Sequence, residues 1–390
     1  MNFDLSEEQV VLQRSVREFC ARDILPNAAR WDREERFPHE IIPTMAAMGL
    51  LGMQIPEEYG GAGMSFADFV VALEEVARAD ASVGLTMASH NSLCTGHIFL
   101  AGTEAQKQKY VTRLARGEVL GGWGLTEPNS GSDAGAARAR AVRQGDNWVV
   151  SGTKTFITQG SVGSIYVVLA STAPELKARG LTAFIVERGT PGFRTGRKIE
   201  KLGLHASDTT ELILEEVVIP DDQRLGGINE GFFDTLKILD KGRIGIGAWA
   251  VGVGRAAFEA ACRYAKERVQ FGQPIAEFQG VQHMLADMAT ELDAARLLVW
   301  RAAWMQDQKL KTTRESSVAK YYAARATVRA CNSALQIHGG YGYTREFDVE
   351  RYLRDAKLGE IGEGTNEVQK MVIAREWLKE WAEHSGAPGV

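Results

Sequence analysis

Ile165-Tyr166-Val167-Val168-Leu169-Ala170 and Thr182-Ala183-Phe184-Ile185-Val186 decide the architecture of this chain. Both runs are short and rich in β-branched and aromatic residues. Gly, Pro and Asp bound them, the pattern of strands set between turns. Asn147-Trp148-Val149-Val150-Ser151-Gly152 and Glu211-Leu212-Ile213-Leu214 extend the series on either side. No long helical pattern interrupts residues 121–228, so a compact antiparallel module is expected rather than a parallel βαβ sheet.

Outward from this module the period changes. Phe66, Phe69, Val70, Leu73, Val76 and Ala77 follow helical spacing along one face. Ser6-Glu7-Glu8-Gln9 has the form of a capping box, and Pro56-Glu57-Glu58-Tyr59-Gly60-Gly61-Ala62-Gly63 is a turn-rich connection. On the other side, Val281, Met284, Leu285, Met288, Leu292, Ala295 and Val299 form an apolar stripe, with Asp287, Glu291 and Arg296 on other faces. The expected order is an α+β chain of three domains: helical over 1–120, β over 121–228, helical over 229–390. The tail Ser385-Gly386-Ala387-Pro388-Gly389-Val390 is expected to fray.

A chain of 390 residues has ample length for a large core. Its net charge of −5 offers no broad basic footprint for nucleic acid or an anionic membrane, though local basic clusters can hold a phosphorylated small molecule. Cys20, Cys94, Cys262 and Cys331 are far apart without paired spacing, the usage of reduced thiols in a cytoplasmic protein. The N-terminus, Met1-Asn2-Phe3-Asp4-Leu5-Ser6-Glu7-Glu8, is acidic and lacks an apolar or Arg-rich leader, and no apolar run approaches membrane-spanning length.

Five segments can carry chemistry. Glu363 lies between two glycines in Glu360-Ile361-Gly362-Glu363-Gly364-Thr365-Asn366-Glu367, just after the basic run Arg351-Tyr352-Leu353-Arg354-Asp355-Ala356-Lys357. The glycines let a ligand approach the backbone, and desolvation there would raise the carboxylate toward the working pH of a general base. A solvated loop glutamate is the competing reading. Trp123-Gly124-Leu125-Thr126-Glu127-Pro128-Asn129-Ser130-Gly131-Ser132-Asp133-Ala134-Gly135 offers N–H and O–H donors to a heterocycle or a phosphate, or else is a polar linker. Lys154-Thr155-Phe156-Ile157-Thr158-Gln159-Gly160 follows a strand signal, so Phe156 can pack on a ring while Thr158 bonds it; an ordinary strand end competes. Arg268-Val269-Gln270-Phe271-Gly272-Gln273-Pro274-Ile275, with Phe278-Gln279, places Arg268 at a helix end facing a phosphate or the helix dipole. Gln336-Ile337-His338-Gly339-Gly340-Tyr341-Gly342 is a Gly-rich turn suited to a pyrophosphate.

Two signals are set aside. Gly252-Val253-Gly254-Arg255-Ala256-Ala257 fits a dinucleotide fingerprint by letter, but the stretch from Arg243 to Arg268 reads as one helix with no strand before it. His90, Cys94 and His97 share a helical face without a fourth ligand, so no metal is expected.

Taken together, the chain resembles the flavin-dependent acyl-CoA dehydrogenase family over nearly its whole length. Leu125-Thr126-Glu127-Pro128 with Gly131-Ser132-Asp133, the Arg268–Gln279 stretch, and Gln336-Ile337-His338-Gly339-Gly340 leading to Glu363-Gly364-Thr365 keep the family's order and spacing. The resemblance implies a helical domain, a β domain and a C-terminal four-helix domain, with FAD between the last two and touching a neighbour in a homotetramer, a dimer of dimers. Trp123, Leu125, Thr126, Gly131 and Ser132 would line the flavin, Ser132 also meeting substrate. Phe156, Ile157 and Thr158 would flank the isoalloxazine, where many relatives carry Trp in place of Phe156. Arg268, Phe271, Gln279, Gln336, Gly339 and Gly340 would grip the FAD phosphates and adenosine, partly across the subunit interface, with Thr365 and Glu367 completing that site. Asp240, Arg243 and Gly364 would meet the thioester or the surroundings of the acid.

Glu363 matches the family's commonest catalytic base. Some branched-chain members carry theirs immediately before the Arg matched by Arg243; Gly242 stands there, and a glycine takes no proton. Gly362 replaces an aromatic common in relatives, which should widen the acyl end and leaves chain length and pathway open. The implied reaction is α,β-dehydrogenation of a saturated acyl-CoA to the trans-2-enoyl-CoA. The FAD 2′-hydroxyl and the Glu363 N–H would polarise the carbonyl, Glu363 would take the α-proton, hydride would pass to flavin, and an electron-transfer flavoprotein would reoxidise it. Two rivals share the fold: a flavin monooxygenase or oxidase, marked by rapid reoxidation in air, and a DNA-protection homologue, which calls for a basic face.

Overall fold

The computed structural model describes residues 4–385, so Gly386–Val390 of the tail expected to fray lie outside the described residues. The capping box at Ser6 forms: Ser6 Oγ accepts from the Gln9 N–H and Gln9 Oε1 from the Ser6 N–H, each at 3.2 Å. It starts α1 (Glu7–Phe19), followed by α2 (Leu25–Glu34), α3 (Ile42–Ala47), α4 (Phe66–Ala79), α5 (Ala81–Ser89), α6 (Gly96–Ala101), α7 (Glu104–Gln106) and α8 (Thr112–Ala115). The helix expected from the Phe66 periodicity is α4, and Phe69, Val70, Leu73 and Val76 are fully buried along it. Its first turn is held from far away, where the Asp307 carboxylate accepts the N–H groups of Phe66 at 2.6 Å and Ala67 at 3.0 Å.

The sheet follows: β1 (Gly121–Gly124), β2 (Arg140–Gln144), β3 (Asn147–Thr158), β4 (Ile165–Ser171), β5 (Leu181–Glu187), β6 (Phe193–Lys198), β7 (Thr209–Pro220) and β8 (Arg224–Leu225). The order is β6-β7-β3-β2-β4-β5-β8, with β1 pairing β4. Pairing is antiparallel as expected, with two exceptions. β1 runs parallel to β4 from Gly121↔Ile165 to Gly124↔Val168, and β2 touches β4 in parallel at Arg140↔Ser171. The chain enters along one edge of β4, leaves it through residues 125–139, and rejoins the same edge further along. β3 is bulged between Lys154 and Ile157, which re-aims its end.

The C-terminal helices are α9 (Gly231–Glu267), α10 (Gln279–Asp307), α11 (Thr313–His338), α12 (Val349–Ala356) and α13 (Asn366–Ser385). Gly252 and Gly254 lie inside α9 and serve packing. A Cβ on Gly252 would come 2.4 Å from the Glu74 carbonyl of α4, and one on Gly254 2.4 Å from Leu292 of α10. On α10, Met288, Leu292, Ala295 and Val299 are buried, while Val281, Met284 and Leu285 are partly covered. No helix among the described residues is long and apolar enough to cross a membrane.

Candidate active site

The β domain and the C-terminal helices enclose a cavity of about 1120 Å³. From the sheet side come Trp123, Leu125, Thr126, Gly131, Ser132, Phe156, Ile157 and Thr158; α9 adds Asp240 and Arg243, and the loop before α13 adds Glu363, Gly364 and Thr365. Phe156 is 65% exposed, an aromatic ring presented to open space at the bulged end of β3 with φ 58°. Gly131 has no atom within 4 Å of where a Cβ would stand, so backbone there is free for a ligand to approach.

The loop from Leu125 to Ala139 is pinned from below by a buried carboxylate. Glu127 accepts from the N–H groups of Arg138 at 2.6 Å and Ala139 at 2.9 Å, and from Lys154 Nζ at 2.7 Å. Lys154 also donates to the Leu125 carbonyl at 3.1 Å. Trp123 is fixed by donating from Nε1 to His97 Nδ1 at 3.1 Å. His90 has its own duties, with Nε2 on the Leu114 carbonyl at 3.0 Å and Nδ1 accepting the Gly121 N–H at 3.2 Å. Burial pushes both imidazoles down to about 4. Among the described residues no His, Cys, Asp and Glu cluster can hold a metal.

Glu363 has φ 51° and Gly364 φ 91°, two consecutive left-handed residues that turn the chain sharply into α13. Gln369 Nε2 holds the turn, donating to the carbonyls of Glu363 at 3.3 Å and Gly364 at 3.0 Å. The Glu363 Oε2 atom is buried and makes no hydrogen bond among the described residues. Burial raises its pKa to about 7, against the opposing charges of Lys320 and Arg243. Arg243 donates to Asp240 Oδ1 at 2.8 Å, and Asp240 also accepts from Thr313 Oγ1 at 2.7 Å. The carboxyl rests directly on α9, where a Cβ on Gly242 would stand 2.2 Å from Glu363 Oε2. Gly242 therefore does more than lack a base: its missing side chain is the space the Glu363 carboxyl occupies.

The other sequence-singled residues are not at this cavity. Arg268, Gly339 and Gly340 line a second, shallower pocket beside Tyr264, His338 and Tyr341. Phe271, 95% exposed, stands edge-on to Phe278 at 6.0 Å, and Gln279, Gln336 and Glu367 are exposed. Sequence reasoning passed over Lys154, Lys320, Gln369 and Trp249. A lysine in the Ala- and Ser-rich run Ser316-Ser317-Val318-Ala319-Lys320 was the available signal, being a charge on a face otherwise suited to burial.

Three family models match the chain in succession: the N-terminal domain of acyl-CoA dehydrogenases over residues 6–118, the middle domain over 122–217 and the C-terminal domain over 229–378. The chain is 44% identical over 374 residues to a short-chain-specific acyl-CoA dehydrogenase of Clostridium acetobutylicum, covering 96% of this chain and 99% of that one. The solved butyryl-CoA dehydrogenase of Megasphaera elsdenii superposes with a TM-score of 0.95 at 40% identity, over 97% of this chain and 100% of that one. A chain in a structure described as the electron-transferring flavoprotein of Acidaminococcus fermentans, in work on flavin-based electron bifurcation, gives a TM-score of 0.96 at 41% identity, over 97% and 100%.

Proposed function

We propose, on the premise that this chain belongs to the acyl-CoA dehydrogenase family, that Glu363 is the base with which it dehydrogenates a short-chain acyl-CoA. The chain is an oxidoreductase acting on CH–CH donors. The observation that carries the reading is a buried carboxyl with an unpartnered oxygen, held near pH 7 in a cavity large enough for a cofactor and a thioester together.

The cavity fits FAD. Its open Phe156 ring and the apolar Trp123, Leu125 and Ile157 suit a planar ring system, while Thr126, Thr158 and Ser132 offer the polar contacts along its edge. When bound, FAD supplies the acceptor for the β-hydrogen and its electron pair. Glu363 takes the α-proton onto its carboxylate, and the two electrons of that C–H bond form the new double bond. The field of Arg243 and Lys320 keeps the acid ionisable despite its burial. Arg268, Phe271, Gln279, Gln336, Gly339 and Gly340 are assigned to the FAD phosphates and adenosine, partly across the subunit interface of a homotetramer, with Glu367 beside them and Thr365 contributing from the main cavity. Electron-transfer flavoprotein is the proposed acceptor, and the cytoplasm the proposed location.

Chain length follows from two opposed features. Gly362 brings no side chain of its own beside the base, although a Cβ there would already touch Leu358 at 3.5 Å. Trp249 lines the cavity together with the apolar Leu85, Leu93 and Ile246. Its indole is immobilised, Nε1 donating to the Ala81 carbonyl at 2.7 Å and Cζ3 lying 3.2 Å from a Gly359 Cβ position. A rigid ring rather than a flexible side chain stands on that wall, which supports the short acyl group that the short-chain relative suggests.

The test is anaerobic reduction of the FAD-loaded protein by butyryl-, octanoyl- and palmitoyl-CoA, followed by flavin absorbance. Bleaching should be fastest with butyryl-CoA, and Glu363→Gln should keep the yellow cofactor while slowing bleaching by at least about 1000-fold. Near-normal reduction of the variant would end the assignment of the base.

A further inference from the structure

Lys320 lies on α11 under the Glu363 loop with none of its surface exposed. Its ammonium donates to the Gly364 carbonyl at 2.8 Å and to Asn366 Oδ1 at 3.3 Å. Both acceptors are uncharged. The other fully buried lysine among the described residues, Lys154, is by contrast neutralised by the Glu127 carboxylate at 2.7 Å. A fully buried ammonium without a contact carboxylate is costly, so a protein that keeps one there draws something from the charge.

We propose that Lys320 is the positioning residue of the catalytic loop, gripping Gly364 and Asn366 so that Glu363 faces the cavity and lending the positive field that lets its carboxyl act as a base. The inference rests on the dehydrogenation reading. Its geometric half is the pair of left-handed residues at Glu363 and Gly364, which need an outside hold, and the Gly364 carbonyl is where Lys320 and Gln369 converge. Its electrostatic half is reciprocal. Burial drives Lys320 down to about 8 with Glu363 foremost among the groups opposing the shift, and Lys320 precedes Arg243 in restraining the rise of Glu363. The charged groups around the pair are Arg243 and Asp240 from α9, Glu360 ahead of the loop, and Glu367 and Arg375 from α13.

Two variants separate grip from charge. Lys320→Met removes both donor and charge at similar length, whereas Lys320→Gln keeps an N–H donor without the charge. In the FAD-loaded protein, amide hydrogen exchange over residues 361–366 should quicken by about tenfold in Lys320→Met and less in Lys320→Gln, with α9 unchanged. The pH midpoint of anaerobic reduction by butyryl-CoA should rise by about one unit in both. Wild-type exchange in the loop of Lys320→Met, or a wild-type midpoint in either variant, overturns the proposal. So does exchange that quickens equally in every helix, which would make the lysine a general prop. Should the unmodified protein fail to bleach with any thioester, the dehydrogenation reading falls, and the exchange comparison alone still decides whether Lys320 holds the loop.

Discussion

Glu363 carries a stability signature as well as a chemical one. Burial raises its folded pKa to about 7, whereas an unfolded glutamate titrates at about 4.3. A carboxyl raised on folding stabilises fully below the unfolded value, and that contribution is lost as pH climbs through the folded one. Glu363→Gln is neutral throughout, so it should match the parent at pH 4 and exceed it at pH 8, by on the order of 3 kcal/mol. Thermal scans without thioester at the two pH values check this; a gap that does not change with pH would mean the carboxyl is solvated. The acid itself was legible because two glycines frame it. Its seat was not, since the contact with Gly242 exists only once α9 crosses the loop. Lys320 stayed hidden for a related reason: one lysine in a helix gives no sign of which face it occupies until α11 is packed.

At the scale of elements, the buried Glu127–Lys154 pair ties the β3 strand to the loop that frames the cavity. Glu127 serves three donors, so Glu127→Ala would strand the Lys154 ammonium and two N–H groups together. The expected loss is about 3–5 kcal/mol. Lys154→Met should cost less, because Glu127 keeps its two backbone donors. Urea midpoints for the two variants check the order, and equal losses would show that the pair acts only through its mutual charge. The strands readable from the sequence were β3, β4, β5 and β7, each with its apolar run. β1 gives no strand signal because Gly121-Gly122-Trp123-Gly124 is mostly glycine, yet a Cβ on Gly122 would stand 2.8 Å from the Tyr166 ring, so close packing requires that composition. β2 and β6 are largely polar, burying only Ala141 and Phe193 respectively, and periodicity has little to act on there.

Across the whole molecule, the site residues divide between the main cavity and the outer pocket around Arg268. The sequence order of the motifs carried no sign of this, because spacing along a chain does not record which pocket a residue lines. What the chain fixes by itself is the seating of its N-terminal helices on the C-terminal bundle, through two buried acids of α4. Glu74 accepts from Arg255 at 2.6 Å and Arg296 at 2.6 Å; Glu75 meets Arg17 at 2.8 Å, Arg255 at 2.9 Å and Arg78 at 3.1 Å. Burial pushes Glu75 up, but the guanidinium groups of Arg17, Arg255 and Arg78 prevail and hold it at about 2. A carboxylate depressed on folding stabilises above its unfolded value of about 4.3 and loses that contribution as pH falls toward the folded one. Glu75→Gln should therefore destabilise by about 3–5 kcal/mol at pH 7, since it leaves the shared arginines without their acid. The gap from the parent should narrow as the pH drops below about 4. Urea unfolding at pH 7 and at pH 3.5 measures it, and a gap of the same size at both would show that hydrogen bonding rather than charge docks the two helical regions.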